Sequence, residues 1–324
     1  MDVEDYPRTL LEFEDRFRTE DACRDYLFAL RWPDGFVCPR CGGRTGWEGS
    51  RGRVICGACR YQATVTAGTI FADTRKPLRL WFRAMWLVTS QKSGASAIGL
   101  QRVLGLGSYP TAWTWLHKLR RAMVRPGRDR LSGEVEVDET FVGGTEDSVH
   151  GREAGKKALV AIAVEKRGVH GFGRVRMARI AEASGPVLLS FIAGAVEPGS
   201  VVCTDGWKGY NGVAASGYRH KATVLSGRGK DAALQELPRV HRIAGLAKRW
   251  LQGTHQGRVA PDHLDYYLDE YTFRFNRRAS ATRGKLFYRL VQQAVEAEPA
   301  PYKRIVGGRP ATAQPPPVVA GGVN

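Results

Sequence analysis

Apolar positions along the chain alternate between helical and strand-like periods. From about 8 to 30 the period is helical: Cys23, Tyr26, Leu27 and Leu30 fall at i, i+3, i+4 and i+7, which makes Cys23 a core residue of an amphipathic face. Pro33, Asp34 and Gly35 break the pattern. Residues 36–68 hold only short β-like runs, RVICG and RYQATVT. After Pro77 comes LRLWFRAMWLVTSQ, a helix with Leu78, Trp81, Phe82 and Met85 as its apolar stripe. Two shorter helices are expected at 95–104 and 111–124, separated by Gly105, Gly107, Ser108 and Pro110, which is turn chemistry with proline at a helix start. From about 132 the spacing predicts strands near 133–142, 156–165, 172–181, 200–205 and 218–225, a helix over 185–196 and a short one over 207–214. From 239 it is helical again, over 239–252, 261–278 and 283–297. The tail after about 305 is rich in Pro, Gly and Ala and reads as disordered. There are no internal repeats.

Composition narrows the class. The chain has 324 residues and 43% hydrophobic content, so it is globular, with room for two or three compact units. No apolar run is long enough to span a membrane, and MDVEDYPRTL lacks a basic-then-apolar leader, so a soluble, cytoplasmic protein is expected. The net charge is +17, and it is uneven: residues 1–21 carry −5, leaving +22 for the rest. A surplus of that size across folded segments calls for a polyanionic partner, DNA or RNA.

Four of the six cysteines form two close pairs, CPRC at 38–41 and CGAC at 56–59. Two such knuckles can close Cys38, Cys41, Cys56 and Cys59 around one tetrahedral Zn²⁺, leaving no open position for catalysis. A redox role is the competing reading, but redox CxxC motifs come singly at a helix start. The ribbon is therefore read as a folding staple, and the arginines at 40, 44, 51, 53 and 60 suit phosphate contact. The following pair of helices has helix–turn–helix proportions. In the second, TAWTWLHKLRRAM, Lys118, Arg120, Arg121 and Arg125 gather towards one end as candidate DNA contacts, with Lys118 and Arg121 foremost, while Trp113, Leu116 and Leu119 suit a core. A three-helix packing unit with a solvated basic face is the competing reading of the same segment.

Residues 133–144 read GEVEVDETFVGG. Strand alternation sends Val135 and Val137 one way and Glu134, Glu136 and Asp138 the other. A second apolar strand, VVCTDGWKGY at 201–210, ends in Asp205, a common site position at the carboxyl end of a buried strand. The predicted order of three strands, helix, strand, helix, strand matches an RNase H-like sheet, in which the first and fourth strands are neighbours. Asp138 and Asp205 then form an adjacent carboxylate pair able to hold Mg²⁺. Glu134 and Glu136 need be no more than solvated. A third ligand is expected from VHRIAGLAKRW at 240–250, where His241 and Lys248 lie two helical turns apart on one face. Glu139, Asp269 and Glu270 are weaker candidates for a third oxygen.

The segments RWPDGFVCPRCGG, VEVDETFVGG, TDGWKGY, HRIAGLAKRWLQGTHQG and YLDEYTFRFNRR, in that order over about 25–290, resemble the DDE-type insertion-sequence transposases of the zinc-ribbon (ISXO-like) group. The resemblance implies an RNase H-like catalytic domain, two Mg²⁺ ions, inverted-repeat DNA ends as substrate and a multimeric synaptic complex of at least two copies. It also implies Asp138 and Asp205 as the metal pair and Lys248 as the basic residue after the third position. His241 stands where most such enzymes have glutamate, and imidazole suits Mn²⁺ better than Mg²⁺. In LDYYLDEYTFRFNRR (264–278) the apolar positions Leu264, Tyr267, Leu268 and Tyr271 read as core, and Arg277 and Arg278 as phosphate contacts.

The expected architecture is multidomain α+β: an N-terminal helix and zinc ribbon over 1–70, a helical DNA-binding segment over 71–130, an RNase H-like catalytic domain over 131–300 and a disordered tail over 301–324. The expected function is metal-dependent cutting and joining of double-stranded DNA at the ends of an insertion sequence. A non-catalytic DNA-binding regulator and an RNase H-like nuclease are the rival functions the same residues allow.

Overall fold

The computed structural model describes residues 4–125, 127–143, 157–223, 236–257 and 259–309. The chain forms two compact units. One comprises 1–125 with 279–306, the other 126–278 with the residues from 307 onward.

In the first unit the expected N-terminal helix is two helices, α1 (Leu10–Arg16) and α2 (Glu20–Arg31). Thr9 and Thr19 cap them by accepting from the backbone N–H three residues on, and the second cap is what interrupts the apolar period. The ribbon is a small antiparallel sheet of β1 (Gly46–Glu48), β2 (Arg53–Cys56) and β3 (Gln62–Thr64). Then come α3 (Leu78–Ser90), α4 (Ala97–Leu104) and α5 (Tyr109–Ala122). Gly105 ends α4 with φ +61° and Ser108 caps α5, so the turn between them uses the residues expected. Trp81 of α3 stacks on Trp115 of α5 with centroids 3.8 Å apart.

The second unit is built on a mixed sheet of β4 (Glu134–Val142), β5 (Ala158–Arg167), β6 (Gly171–Ile180), β7 (Val201–Thr204) and β8 (Arg219–Ala222), in the order β6-β5-β4-β7-β8. The β4–β5 and β5–β6 pairs are antiparallel, while β4–β7 and β7–β8 are parallel. Both faces are apolar. On one, Val135, Val137, Leu159, Ala161 and Ala163 pack beneath α6 (Gly185–Ala195) through Leu188 and Ile192. On the other, Val160, Ile162, Val164 and Cys203 meet α7 (Pro238–His255) and α8 (Leu264–Asn276) through Val240, Ile243, Ala247, Leu264 and Leu268. Burial on both faces explains why β5 reads as a continuous apolar run rather than an alternation. The short helix expected over 207–214 is instead two 3₁₀ turns, Lys208–Tyr210 and Ala214–Ser216, because Gly209, Gly212 and Gly217 punctuate the segment.

The chain then returns to the first unit. The amphipathic helix α9 (Gly284–Glu296) belongs to that unit. Its buried Phe287 lies in an aromatic cluster with Phe13, Phe17, Tyr26, Phe82 and Trp86 of the N-terminal helices. Gly284 is needed there, since a Cβ would fall 1.6 Å from the Pro7 carbonyl oxygen. The tail differs from expectation at its start: α10 (Tyr302–Val306) is a helix with Ile305 buried, and Arg309 is fixed to α8 by an ion pair to Asp269 at 2.6 Å. The rest of the expected tail, from 310, lies outside the described residues, as does the end of the strand expected at 218–225.

Candidate active site

The ribbon brings its four cysteines together. Among the described residues they are the one group of three or more potential metal-ligating side chains whose ligand atoms all lie within 4.8 Å of one another. Cys38 Sγ is 3.7 Å from Cys59 Sγ, and Cys41 Sγ is 3.6 Å from Cys56 Sγ. The two knuckles repeat one backbone pattern. Gly42 N–H donates to the Cys38 carbonyl as Arg60 N–H does to that of Cys56, and Cys38 N–H donates to the Gly43 carbonyl as Cys56 N–H does to that of Tyr61. The residue after each second cysteine is left-handed, Gly42 at φ +74° and Arg60 at φ +59°. The thiols share protons within the cage: hydrogen bonding from the Cys59 N–H, with help from that of Ala58, lowers the Cys56 thiol to about 7, while, against the Gly43 N–H, the neighbouring thiols push Cys41 up to about 12. Four soft sulfur donors in a closed cage fit zinc in a structural role.

The basic residues chosen from sequence are placed as follows. Arg120 of α5 is buried, and Lys118 is half-buried with its ammonium 5.9 Å from the Trp81 ring centre. Burial lowers the Lys118 pKa. Arg121 is partly exposed and Arg125 exposed. In the second unit the Arg277 and Arg278 guanidiniums each lie 4.0 Å from a ring centre, of Phe273 and Phe275 respectively, and Arg278 also donates to the Gly173 carbonyl at 3.3 Å.

The carboxylates expected on adjacent strands lie on β4 and at the end of β7. The parallel register sets Glu136 opposite Cys203, and Asp138 and Asp205 each follow two residues after that pair, Asp205 just beyond the end of β7. Each aspartate is oriented by a backbone donor. Glu139 N–H donates to Asp138 Oδ1 and Trp207 N–H to Asp205 Oδ1, both at 2.9 Å. Gly206, at φ +76°, allows the sharp turn out of β7 that the second bond closes. His241 comes from the first turns of α7, with Nδ1 3.6 Å from Asp138 Oδ2. Lys248, two turns later, donates from Nζ to Thr140 Oγ1 at 2.8 Å. Burial, and next the charge of Lys157, lower the Lys248 pKa against the opposing pull of Asp138.

Glu139 faces the other side of β4, where the wholly buried Tyr210 donates its hydroxyl to Glu139 Oε2 at 2.7 Å. Burial first, then the charges of Glu139, Asp138 and Asp205, hold the Tyr210 pKa far above its usual value. Asp269 and Glu270, the remaining candidates for a third oxygen, are engaged elsewhere: Asp269 pairs with Arg309, and Glu270 is fully buried within α8.

Glu136 corrects the expectation of a solvated side chain. It is fully buried, with 0% exposure. It accepts from Arg239 N–H at 2.8 Å, Val240 N–H at 2.9 Å and Arg239 Nη1 at 2.9 Å. Alternation in the sequence revealed the face but not that a helix would cover it. The one signal for that cover was the Pro238-Arg239 pair opening α7 without a capping side chain of its own.

Residues 130–276 match the family model of the ISXO2-like transposase domain, and residues 18–62 that of the transposase zinc-ribbon domain. The chain thus carries an ISXO2-like transposase domain behind a transposase zinc ribbon. It is also similar to a protein in transposable element ISH50 of Halobacterium salinarum, 27% identical over 277 residues, covering 80% of this chain and 91% of that protein. The domains are those of an insertion-sequence transposase, and no described helix is long and apolar enough to cross a membrane.

Proposed function

We propose that the protein binds the ends of its own insertion sequence and catalyses their cleavage and joining to target DNA, on an RNase H-like domain centred on Asp138, Asp205, His241 and Lys248. The observation that carries this reading is the parallel pairing of β4 with β7, from which Asp138 and Asp205 each follow two residues after the Glu136–Cys203 pair, with the His241 imidazole 3.6 Å from Asp138. Hard carboxylate oxygens fit Mg²⁺ or Mn²⁺, and the imidazole weights the set towards Mn²⁺. Divalent ions held there would activate the attacking oxygen and neutralise charge on the leaving one. The chain's own part is orientation. Asp138 and Asp205 are held by backbone N–H groups, and His241 is held against Asp138. Lys248, anchored on Thr140, brings a positive charge to the strand that carries the scissile phosphate.

The zinc ribbon and the α4–α5 pair, a helix–turn–helix in this reading, recognise the DNA ends, with Lys118 and Arg121 in the first unit and Arg277 and Arg278 in the second contacting phosphates. The partner is double-stranded DNA, and the working form pairs at least two copies across two ends.

End-labelled DNA carrying the sequence that flanks the gene, incubated with protein and Mg²⁺ or Mn²⁺, tests the proposal. Cleaved 3′-hydroxyl ends together with joined products are expected. Cutting without joining would make the protein a nuclease, and binding without cutting a regulator. Replacing His241 by glutamate is expected to raise the rate in Mg²⁺ relative to Mn²⁺ by about tenfold, equivalent to about 1.4 kcal/mol.

A further inference from the structure

The start of α7 has no cap of its own: Leu237 occupies the N-cap position and offers no side-chain acceptor. The first-turn N–H groups of a buried helix need acceptors. Glu136 supplies them from a strand about a hundred residues earlier, taking the N–H groups of both Arg239 and Val240 on Oε2. Its negative charge also sits at the positive end of the helix. Arg239 balances that charge through Nη1 and reaches onward to the turn between β5 and β6, donating to the carbonyls of Gly171 at 2.8 Å, Gly168 at 3.1 Å and Val169. A fully buried carboxylate with three donors, paired with a guanidinium fixed on three carbonyls, is a rigid clamp.

The clamp adjoins the proposed centre in both directions. Along β4, Glu136 and Asp138 point from the same face two residues apart, about 7 Å. Along α7, His241 directly follows Val240, whose N–H Glu136 holds. The strand therefore meets the helix three times on one face, with Glu136 at Arg239 and Val240, Asp138 at His241, and Thr140 at Lys248. The middle contact is the one at which chemistry is proposed, and it is the loosest, at 3.6 Å. The outer two fix its register.

We infer that Glu136, with Arg239, is a positioning residue of the catalytic centre: it sets where His241 stands relative to Asp138 and so tunes how the centre holds its divalent ion. This rests on the transposase reading above. Groups that orient metal ligands from behind typically govern 10–100-fold in affinity or activity.

The test compares Glu136→Gln with Asp265→Asn in the full-length, zinc-loaded protein. Asp265 is a similarly buried acid of the same unit, paired with Arg179 on the edge strand β6, two strands from β4. Turnover per folded molecule, KM for end DNA, thermal midpoint and Mn²⁺ affinity by calorimetry are measured for each. Glu136→Gln keeps the shape and an acceptor oxygen but loses the charge. It is expected to lower kcat and Mn²⁺ affinity by about 10–100-fold at unchanged KM. Asp265→Asn is expected to lower the thermal midpoint while leaving kcat per folded molecule and Mn²⁺ affinity at wild-type values. Equal kcat per folded molecule in the two variants, or Mn²⁺ affinity unmoved in Glu136→Gln, overturns the inference. Should Glu136→Gln not fold, Arg239→Lys keeps a cation beside Glu136 but loses the fork, and the same fall in kcat and Mn²⁺ affinity is required of it. If the wild type cuts no DNA, the transposase reading fails while the Mn²⁺ titrations still decide the positioning role.

Discussion

Asp205→Ala is expected to abolish cutting, by about a thousandfold or more, while leaving affinity for end DNA within about twofold. The size follows from the role. A divalent ion at a phosphodiester supplies several kcal/mol of charge stabilisation, and about 4 kcal/mol corresponds to about a thousandfold in rate. The fold should tolerate the change, because Asp205 lies beyond the last residue of β7 and the bond it accepts from the Trp207 N–H serves only its own turn. The strand itself is held by its ladders to β4 and β8, which do not depend on the side chain. Asp138→Ala should lose as much rate and also release the contact to His241. Filter or gel-shift binding beside single-turnover cleavage separates the two properties. A variant that still cut at about a tenth of the wild-type rate would remove Asp205 from the centre.

Zinc removal should have the second large effect. The ribbon strands are three or four residues long, and β1 is exposed along its whole length, so beside Cys38, Cys56 and Ala63 the sheet's core holds little more than Phe36 and Val65. Such a unit relies on its metal, and structural zinc binding is worth about 10–16 kcal/mol at neutral pH. A strong chelator, or Cys38→Ser, is expected to release the metal and expose the backbone amides of β2 to hydrogen exchange. Selective binding of the element ends is expected to fall at least tenfold, to the level of non-specific DNA. The helical cluster around Phe287 and the sheet unit should keep their protection, since neither draws on the four ribbon cysteines. A Cys38→Ser protein that bound zinc and DNA ends like the wild type would refute the ribbon's role.

Local chemistry was legible in the sequence wherever it is carried by residues close along the chain. The CPRC and CGAC spacing announced the sulfur cage, and the alternation around Asp138 and the apolar run before Asp205 announced β4 and β7. The spacing of His241 and Lys248 placed both on α7, and the structure brings both to the same face of β4. What the sequence withheld is long-range. Period 2 says that Glu136 and Asp138 share a face but cannot say that Arg239, 103 residues later, will cover one of them. Likewise the 3.6-residue period of α9 identifies a helix without saying which core receives Phe287, and that core lies at the other end of the chain. The basic residues chosen for DNA contact show a similar limit. A positive charge in a helix pattern does not reveal that Arg120 is buried.

The most direct test of the centre is metal-specific rescue at Asp205. Asp205→Cys replaces a hard oxygen donor by a thiolate, which tolerates Mn²⁺ far better than Mg²⁺. Single-turnover cleavage of end DNA is expected to be lost in Mg²⁺ and restored by at least tenfold in Mn²⁺, with the wild type showing no comparable gain. Equal loss in both metals, at unchanged DNA affinity, would contradict a metal-binding role for Asp205 and with it the proposed centre.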